Sequence, residues 1–306
     1  MKLDRIAIGM DFGAPAVTAA HWVAHHFAPQ ATLVLVHAIT VPEPPAMLRG
    51  RFPRREMLVE TARVGADRRL QELAAELQPS RVEIAIRVGH PVAEIADAAT
   101  VYDADLVVVG KHGERPGLWN RLGTTAEGVL RAASVPVLLA AMPRERRPQH
   151  ILVPVTDTPA TPWMLSWAGF LGACWGANVT LLHVISSSVI SAMLGGASES
   201  DRDAPAWESA RRTARGETQH WLSGLEMTGL PPSRMAAEVT FGEPGQEILA
   251  AAHRLRTDLI VLGCRRHRAV QRAIFGSTTS EVLRGAECPV LAVPEPRGNP
   301  EREPEG

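Results

Sequence analysis

The sequence predicts an α/β protein made of two copies of one domain, each a parallel sheet covered on both faces by helices. The first observation is a repeat, in which Val107-Val108-Val109-Gly110, Gly123-Thr124-Thr125 and Val135-Pro136-Val137-Leu138 return as Ile260-Val261-Leu262-Gly263, Gly276-Ser277-Thr278 and Cys288-Pro289-Val290-Leu291. Matching positions are 153 residues apart, the length of a whole domain. The second observation is that apolar runs alternate with helical patterns. These runs lack polar residues, as expected of strands buried on both faces.

Within the first copy, continuous apolar runs predict strands over residues 6–10, 32–36, 106–109 and 135–140, and an alternating pattern predicts one over 82–88. Apolar residues at helical spacing, and in one case a proline at the first helical position, predict helices over 14–27, 54–77, 91–99 and 124–133. Strand and helix therefore alternate through the whole copy.

The second copy retraces this path, with strands predicted over 151–155, 179–183, 239–242, 259–263 and 288–293. Residues 186–205 differ and predict a long loop rich in serine, glycine and aspartate. A polar linker with a proline near each end, 142–148, separates the copies. We therefore predict domains at 1–145 and 150–295, followed by a disordered tail at 296–306.

Composition restricts the class of protein. The 306 residues are 45% hydrophobic and 21% charged, as in a soluble globular protein, and the net charge of −1 gives no electrostatic reason for binding nucleic acid or an anionic membrane. Three cysteines without paired spacing argue against a disulfide framework or a zinc site. No apolar stretch reaches the ~20 residues of a membrane span, and the N-terminal apolar run is too short for a signal peptide. We expect a cytoplasmic protein.

The candidate ligand-binding residues of the first copy lie mainly in the segment after residue 109. In a flavodoxin-like sheet, ligands bind beyond the carboxyl ends of the strands where the strand order reverses, here beside the strands ending at Asp11 and Gly110. Glycines at Gly110, Gly113 and Gly123 let the backbone approach a phosphate, and the amides and hydroxyls of Thr124 and Thr125 supply donors. The Asp11 carboxylate offers an acceptor for a ribose hydroxyl or an adenine amino group. This combination fits a nucleotide.

The spacing Gly-x2-Gly-x9-Gly-(Ser/Thr) resembles that of the ATP-binding members of the universal stress protein family, and the resemblance covers nearly the whole chain as a tandem pair. It includes Asp11, the strand-end histidines His37 and His183, and the Pro-Val-Leu start of the last strand. The resemblance implies a five-stranded sheet of the adenine nucleotide α-hydrolase type holding ATP, AMP or ADP, which Mg²⁺ could accompany. It also implies that His112 contacts the phosphate chain.

The same resemblance implies that the two copies pair through their last strands. Residues 135–140 would then lie near 288–293, and the chain would form its own pseudo-dimer. Association of two chains into a further homodimer stays open.

The second copy matches the phosphate-binding pattern only in part. Its candidate residues are Gly263, Gly276, Ser277 and Thr278, but the middle glycine position is Arg266 and the position of Asp11 is Thr156. A side chain at 266 could close the approach to the phosphate. Alternatively, Arg265, Arg266 and Arg268 could pair with phosphate groups. The first copy is the better prediction for the nucleotide site.

Several of these residues also have simpler interpretations. Thr124 with Glu127, and Thr278 with Glu281, fit helix capping boxes that need no ligand. His21 and His25 have metal-ligand spacing but no third ligand, which favours an exposed helix face. His37 and His183 fit packing at strand ends, and Cys264 fits an inert small residue.

No catalytic constellation is present, because the Gly-x4-Gly-Lys-(Ser/Thr), His-Glu-x2-His and Gly-x-Ser-x-Gly motifs are all missing from the sequence. The leading hypothesis is an ATP-binding, nucleotide-sensing stress-response module with at most weak ATPase activity. One alternative is a slow ATP hydrolase or adenylate-forming enzyme of the related α-hydrolase class. The other is a partner-binding module that has lost nucleotide binding.

Overall fold

The computed structural model describes residues 3–41, 47, 53–77, 81–111, 122–141, 146–195, 205–267 and 272–295, with the backbone alone for 265–267 and 272–274. The chain forms two compact units. The first is Met1–Pro148 with Leu283–Ala292, and the second is Gln149–Val282 with Val293–Gly306. Both alternate strands with helices, which confirms the predicted α/β class.

In the first unit, five parallel strands form the sheet: Arg5–Gly9 (β1), Thr32–Ile39 (β2), Arg81–Val88 (β3), Leu106–Gly110 (β4) and Val137–Ala140 (β5). Their order is β3-β2-β1-β4-β5. The segment Val290–Pro294 (β11) runs antiparallel to β5, with Val290 opposite Leu139 and Ala292 opposite Val137. The expected proximity of residues 135–140 and 288–293 is therefore present within this unit.

The strand order decides where a ligand could bind. It is the order of the first five strands of a Rossmann sheet, 3-2-1-4-5-6, rather than the flavodoxin order 2-1-3-4-5, and in both a crevice opens beside β1. Right-handed crossovers place the helices after β1 and β2 on one face and those after β3 and β4 on the other. The crevice therefore lies between the ends of β1 and β4, the two strands predicted to border it.

The first unit contains four helices among its described residues, Ala14–Trp22 (α1), Arg55–Glu76 (α2), Pro91–Val101 (α3) and Thr124–Ala132 (α4). Residues Val23–Phe27 continue α1 as a π-helical turn, which brings the Phe27 ring to 5.2 Å from that of Trp22. Gly9 lets α3 approach β1 closely, since a Cβ there would lie 2.8 Å from Ile95 Cδ1.

The second unit has four parallel strands in the order β8-β7-β6-β9: His150–Pro154 (β6), Asn178–Ile185 (β7), Met235–Phe241 (β8) and Leu259–His267 (β9). A short strand, Arg272–Ile274 (β10), pairs antiparallel with the end of β9. The helices are Thr161–Trp175 (α5), Ser187–Met193 (α6), Pro205–Ser223 (α7), Pro244–Arg254 (α8) and Ser277–Gly285 (α9). The end of α9, from Leu283 onward, belongs to the first unit.

One sequence prediction is wrong here. The interval 186–205, predicted as a loop, contains α6, because Ile190 is buried in a cluster with Ile185 and Trp207. Residues 196–204 of that interval, part of the predicted linker (142–145) and the predicted disordered tail (296–306) lie outside the described residues. None of the helices within the described ranges is long and apolar enough to span a membrane.

A repeated aspartate fixes the start of the first strand in each unit. Asp105 Oδ2 accepts hydrogen bonds from the backbone N–H groups of Asp4 (2.7 Å) and Arg5 (3.0 Å). Asp258, 153 residues later, accepts equivalent bonds from Gln149 (2.9 Å) and His150 (3.2 Å). Each carboxylate therefore joins the start of the fourth strand of its unit, β4 or β9, to the start of the first strand, β1 or β6.

Candidate functional site

The crevice in the first unit begins where β1 and β4 end side by side. Their register pairs Ile6 with Leu106 and Ile8 with Val108, so the chain leaves both strands at the same edge of the sheet. Asp11 follows β1 there, and Gly110 is the last residue of β4. Parallel strands thus bring together two predicted residues that are far apart in sequence.

The Asp11 carboxylate is exposed and only partly engaged. Its Oδ1 accepts a hydrogen bond from the Gly13 N–H at 2.9 Å, which forms a tight turn between β1 and α1. Phe12, inside this turn, has φ of 65°, a conformation that non-glycine residues seldom adopt. Oδ2 accepts no hydrogen bond from the part of the chain that the structure describes, and it remains open to a ligand donor.

An aromatic ring and two basic side chains pack beside this turn. The Phe12 ring lies 4.6 Å from the His37 ring, and the Arg69 guanidinium carbon lies 4.0 Å from the Phe12 centroid. His37 Nδ1 donates to the Met10 carbonyl oxygen at 2.8 Å. In the second unit His183 makes the same bond to Val155, also at 2.8 Å, which supports the prediction that both histidines pack at strand ends.

The other side of the crevice is the start of α4. Gly123 is the residue before the helix, and its N–H donates to the Lys111 carbonyl oxygen at 3.0 Å, which closes the glycine loop. No side chain caps the helix, and the N–H groups of Thr124, Thr125 and Ala126 find no acceptor within the described residues. Three unpaired amides at a helix N-terminus suit an anion.

The capping-box interpretation of this helix is wrong. Thr124 is the first residue of α4 rather than the residue before it, and Glu127 Oε1 accepts from Arg131 at 2.8 Å instead of turning back toward the helix start. In the second unit Thr278 likewise lies inside α9, which begins at Ser277. The threonine hydroxyls of α4 are therefore not used as caps.

Lys111 has a structural role beside the site that the sequence analysis missed. Although it lies in the glycine loop, its side chain is 3% exposed, and Nζ donates to the carbonyl oxygens of Arg284 (2.8 Å) and Ala286 (2.5 Å) at the end of α9. Burial lowers the pKa of Lys111 from 10.5 to about 8, against the raising effect of nearby Cys288 and Glu287. The lysine anchors the loop instead of reaching a phosphate.

Two predicted site residues, His112 and Gly113, lie outside the described residues. Of the glycine loop, the structure describes Gly110 and Lys111 at its start and the residues from Leu122 onward. Gly110 ends β4, and Gly123, Thr124 and Thr125 lie at the start of α4, the next helix along the chain.

The second unit is built differently at the matching place. There β9 continues past Gly263, and its backbone pairs with β10 in a hairpin where the first unit has its glycine loop. Gly263 is covered by α5, since a Cβ on it would lie 2.8 Å from Met164 Sδ and 3.0 Å from Ala160 Cβ. The predicted residues Gly276, Ser277 and Thr278 stand at the start of α9, where a Cβ on Gly276 would meet open space.

The remaining candidates have structural roles. His21 Nε2 lies 3.2 Å from Glu76 Oε2, and His25 Nδ1 donates to the His21 carbonyl oxygen at 2.8 Å. No cluster of three or more potential metal ligands occurs among the described His, Cys, Asp and Glu residues. Cys264 is buried, in agreement with an inert thiol.

Some of the missed features had a sequence signal and others did not. The Asp-Leu pair at residues 105–106 returns at 258–259, so the two carboxylates that fix the first strands could have been found from the repeat. The burial of Lys111 had no such signal, because Cys264 occupies the matching position and the partners of Lys111 lie far away in sequence.

Comparison with known proteins gives a consistent result. The model of the universal stress protein family matches residues 2–141 and again 148–294. A universal stress protein of Methanocaldococcus jannaschii is 34% identical over 64 residues, which cover 21% of this chain and 38% of the relative. One from Thermus aquaticus is 38% identical over 91 residues, which cover 29% of this chain and 64% of the relative. The chain therefore spans less than two thirds of either relative.

The solved structures agree on the fold. A universal stress protein from Archaeoglobus fulgidus aligns with a TM-score of 0.66 and 17% identity, covering 96% of this chain and all of the other. A protein from Pseudomonas aeruginosa described as a putative universal stress protein aligns with a TM-score of 0.62 and 16% identity, covering 95% and 93%. At this level of identity the likeness establishes the architecture alone.

Proposed function

Since the chain belongs to the universal stress protein family, we propose that its first unit binds ATP in the crevice between β1 and β4 and acts as a nucleotide-sensing module in stress response. The observation that carries this proposal is the uncapped first turn of α4. The N–H groups of Thr124, Thr125 and Ala126 have no described acceptor, and a triphosphate supplies oxygens of the right charge for them.

In this proposal different residues contact the phosphate and the nucleoside parts of ATP. The amides of α4 and the hydroxyls of Thr124 and Thr125 bind phosphate oxygens, and Gly123 leaves the approach to them open. Across the crevice, Asp11 Oδ2 accepts from a ribose hydroxyl or from the adenine amino group, while Oδ1 stays bonded to Gly13. His112 and Gly113 complete the phosphate contacts in this proposal.

We propose that the second unit does not bind the nucleotide in the same way. The hairpin of β9 and β10 uses backbone groups in a strand pair where the first unit has its loop, and Met164 packs against Gly263. Gly276, Ser277 and Thr278 lie at the start of α9 as their counterparts lie at the start of α4, but the β9–β10 hairpin replaces the glycine loop. One nucleotide per chain is therefore expected.

Isothermal titration calorimetry of the full chain with ATP, with and without Mg²⁺, tests the proposal. Gly123→Glu places a carboxylate at the phosphate-binding turn and should weaken ATP binding at least about tenfold, because like charges repel. The matched control is Gly276→Glu, at the equivalent position of the second unit, where a new side chain meets open space. That variant should bind ATP as the unaltered protein does.

Two results would contradict this assignment. One is the absence of saturable heat with the unaltered protein. The other is equal weakening by Gly123→Glu and Gly276→Glu, which would place the nucleotide elsewhere. The stoichiometry of the same titration checks the single site, and ADP analysis of the recovered sample reports whether slow hydrolysis accompanies binding.

A further inference from the structure

A cleft of about 330 Å³ opens in the second unit where β6 ends, between the start of α5 and the segment after α7. Its volume is at the lower end of the range for small-molecule sites. The groups that give it chemical character are two carboxylates, four hydroxyls and one indole: Asp157, Glu226, Thr158, Thr161, Ser166, Thr228 and Trp221.

The charge of the cleft is negative and unbalanced. Neither Asp157 nor Glu226 forms an ion pair or a hydrogen bond with another described residue. The residues that line the cleft in the described part of the chain include no lysine, arginine or histidine. Two unpaired carboxylates facing one concave surface attract a cation.

In the first unit a cation packs on the aromatic ring beside the strand-end histidine. There the strand-end histidine, His37, is covered by the Phe12 ring, and the Arg69 guanidinium lies 4.0 Å from the centroid of that ring. Since Thr156 matches Asp11, Asp157 stands at the position of Phe12. The second unit has thus exchanged an aromatic residue for a carboxylate at this point.

The aromatic group is instead supplied by α7. The Trp221 ring meets the ring of His183, which is the match of His37, at 5.7 Å and nearly perpendicular. No described cation lies over the indole. The second unit therefore has a strand-end histidine packed against an aromatic ring, as the first unit does, and two carboxylates line the cleft beside that ring.

The start of α5 does not make this cleft an anion site. The N–H of Thr161 donates to Thr158 (3.0 Å), that of Met164 donates to Ala160 (3.0 Å), and Pro162 has no N–H. A phosphate would therefore meet carboxylates and few unpaired donors. We propose that this cleft binds a small organic ammonium compound, held by Asp157 and Glu226 and packed against the Trp221 indole.

Indole NMR signals offer a direct test on the full chain. The protein contains seven tryptophans, and the signal of Trp221 is assigned by its loss in Trp221→Phe. Titration with n-butylammonium at constant ionic strength should shift the Trp221 signal saturably. Butan-1-ol, which has the same alkyl chain without the charge, should not.

The carboxylates are tested by the double variant Asp157→Asn with Glu226→Gln, which should weaken n-butylammonium binding about tenfold or more. Its control is Asp67→Asn with Glu60→Gln, two exposed carboxylates of α2 that form no described ion pair, and this variant should bind as the unaltered protein does. Unchanged signals of the six other indoles in both variants, in the absence of ligand, establish that they fold.

The proposal is overturned by any of three results: no saturable shift of Trp221, the same shift with butan-1-ol, or equal affinity in the double variant and the unaltered protein. ATP titration of the same variants is independent of this outcome, because the nucleotide site is assigned to the first unit.

Discussion

The burial of Lys111 leads to a specific prediction about stability and pH. The chain contains only two lysines, Lys2 and Lys111, so one replacement isolates the effect. In the folded protein the Lys111 ammonium is withdrawn from water and held by two carbonyl oxygens at the end of α9, and burial lowers its pKa from 10.5 to about 8. In the unfolded chain the pKa returns to its ordinary value.

The direction of the effect follows from proton binding. Below pH 8 the lysine is protonated in both states, and its contribution does not change with pH. Between pH 8 and 10.5 the unfolded chain holds a proton that the folded protein has released, so the free energy of unfolding rises with pH. At about 1.36 kcal/mol per pH unit, the full rise is about 3 kcal/mol.

Lys111→Met removes this titration while keeping a long apolar side chain. Denaturant unfolding of both proteins from about pH 7 to above pH 10 should give curves that diverge by about 3 kcal/mol, with the unaltered protein gaining stability relative to the variant. Groups that lie far from Lys111 contribute equally to both proteins and cancel in the difference. Loss of the two hydrogen bonds shifts the variant's curve by a constant below pH 8 and does not alter this divergence.

An NMR measurement checks the cause. In protein labelled with ¹³C-lysine, only two side chains give signals, and the Cε signal of Lys111 should titrate near pH 8. Titration of that signal near pH 10.5, together with parallel stability curves for the two proteins, would refute the argument that burial lowers the pKa of this lysine.

Two further predictions concern features that build the sheet and the helix pair in the first unit. Asp105→Ala removes the acceptor of two backbone N–H groups at the start of β1 and should lower the free energy of unfolding by about 1–3 kcal/mol in denaturant titrations. The control Asp67→Ala, on the exposed face of α2, should change the free energy of unfolding little. Equal effects of the two replacements would contradict the role assigned to Asp105. Gly128→Ala should lower it by a similar ~1–3 kcal/mol, because the new Cβ would lie 2.4 Å from Val92 Cγ2. Adding Val92→Ala should restore most of that loss, and additive losses in the double variant would show that the two helices do not limit each other.

The sequence alone predicted most of the architecture. Buried parallel strands need continuous apolar runs, so β1, β2, β4 and their repeats could be located from composition within a few residues. The repeat fixed the two-copy organisation, and a parallel sheet brings the ends of its neighbouring strands together, so Asp11 and Gly110 were expected to share one crevice. These features follow from local pattern and from the geometry common to all such sheets.

The structure was needed where contacts join distant residues. The α6 helix depends on Ile190 packing with Trp207, and the direction of Lys111 depends on carbonyl groups more than 170 residues away. The packing of the helix pairs shows the same dependence. In the first unit the glycine is on α4, where Gly128 faces Val92 of α3, whereas in the second unit it is on α8, where Gly245 faces Glu281 of α9. A glycine on either helix of such a pair allows the two helices to pack closely. Only the folded arrangement decides which partner it meets.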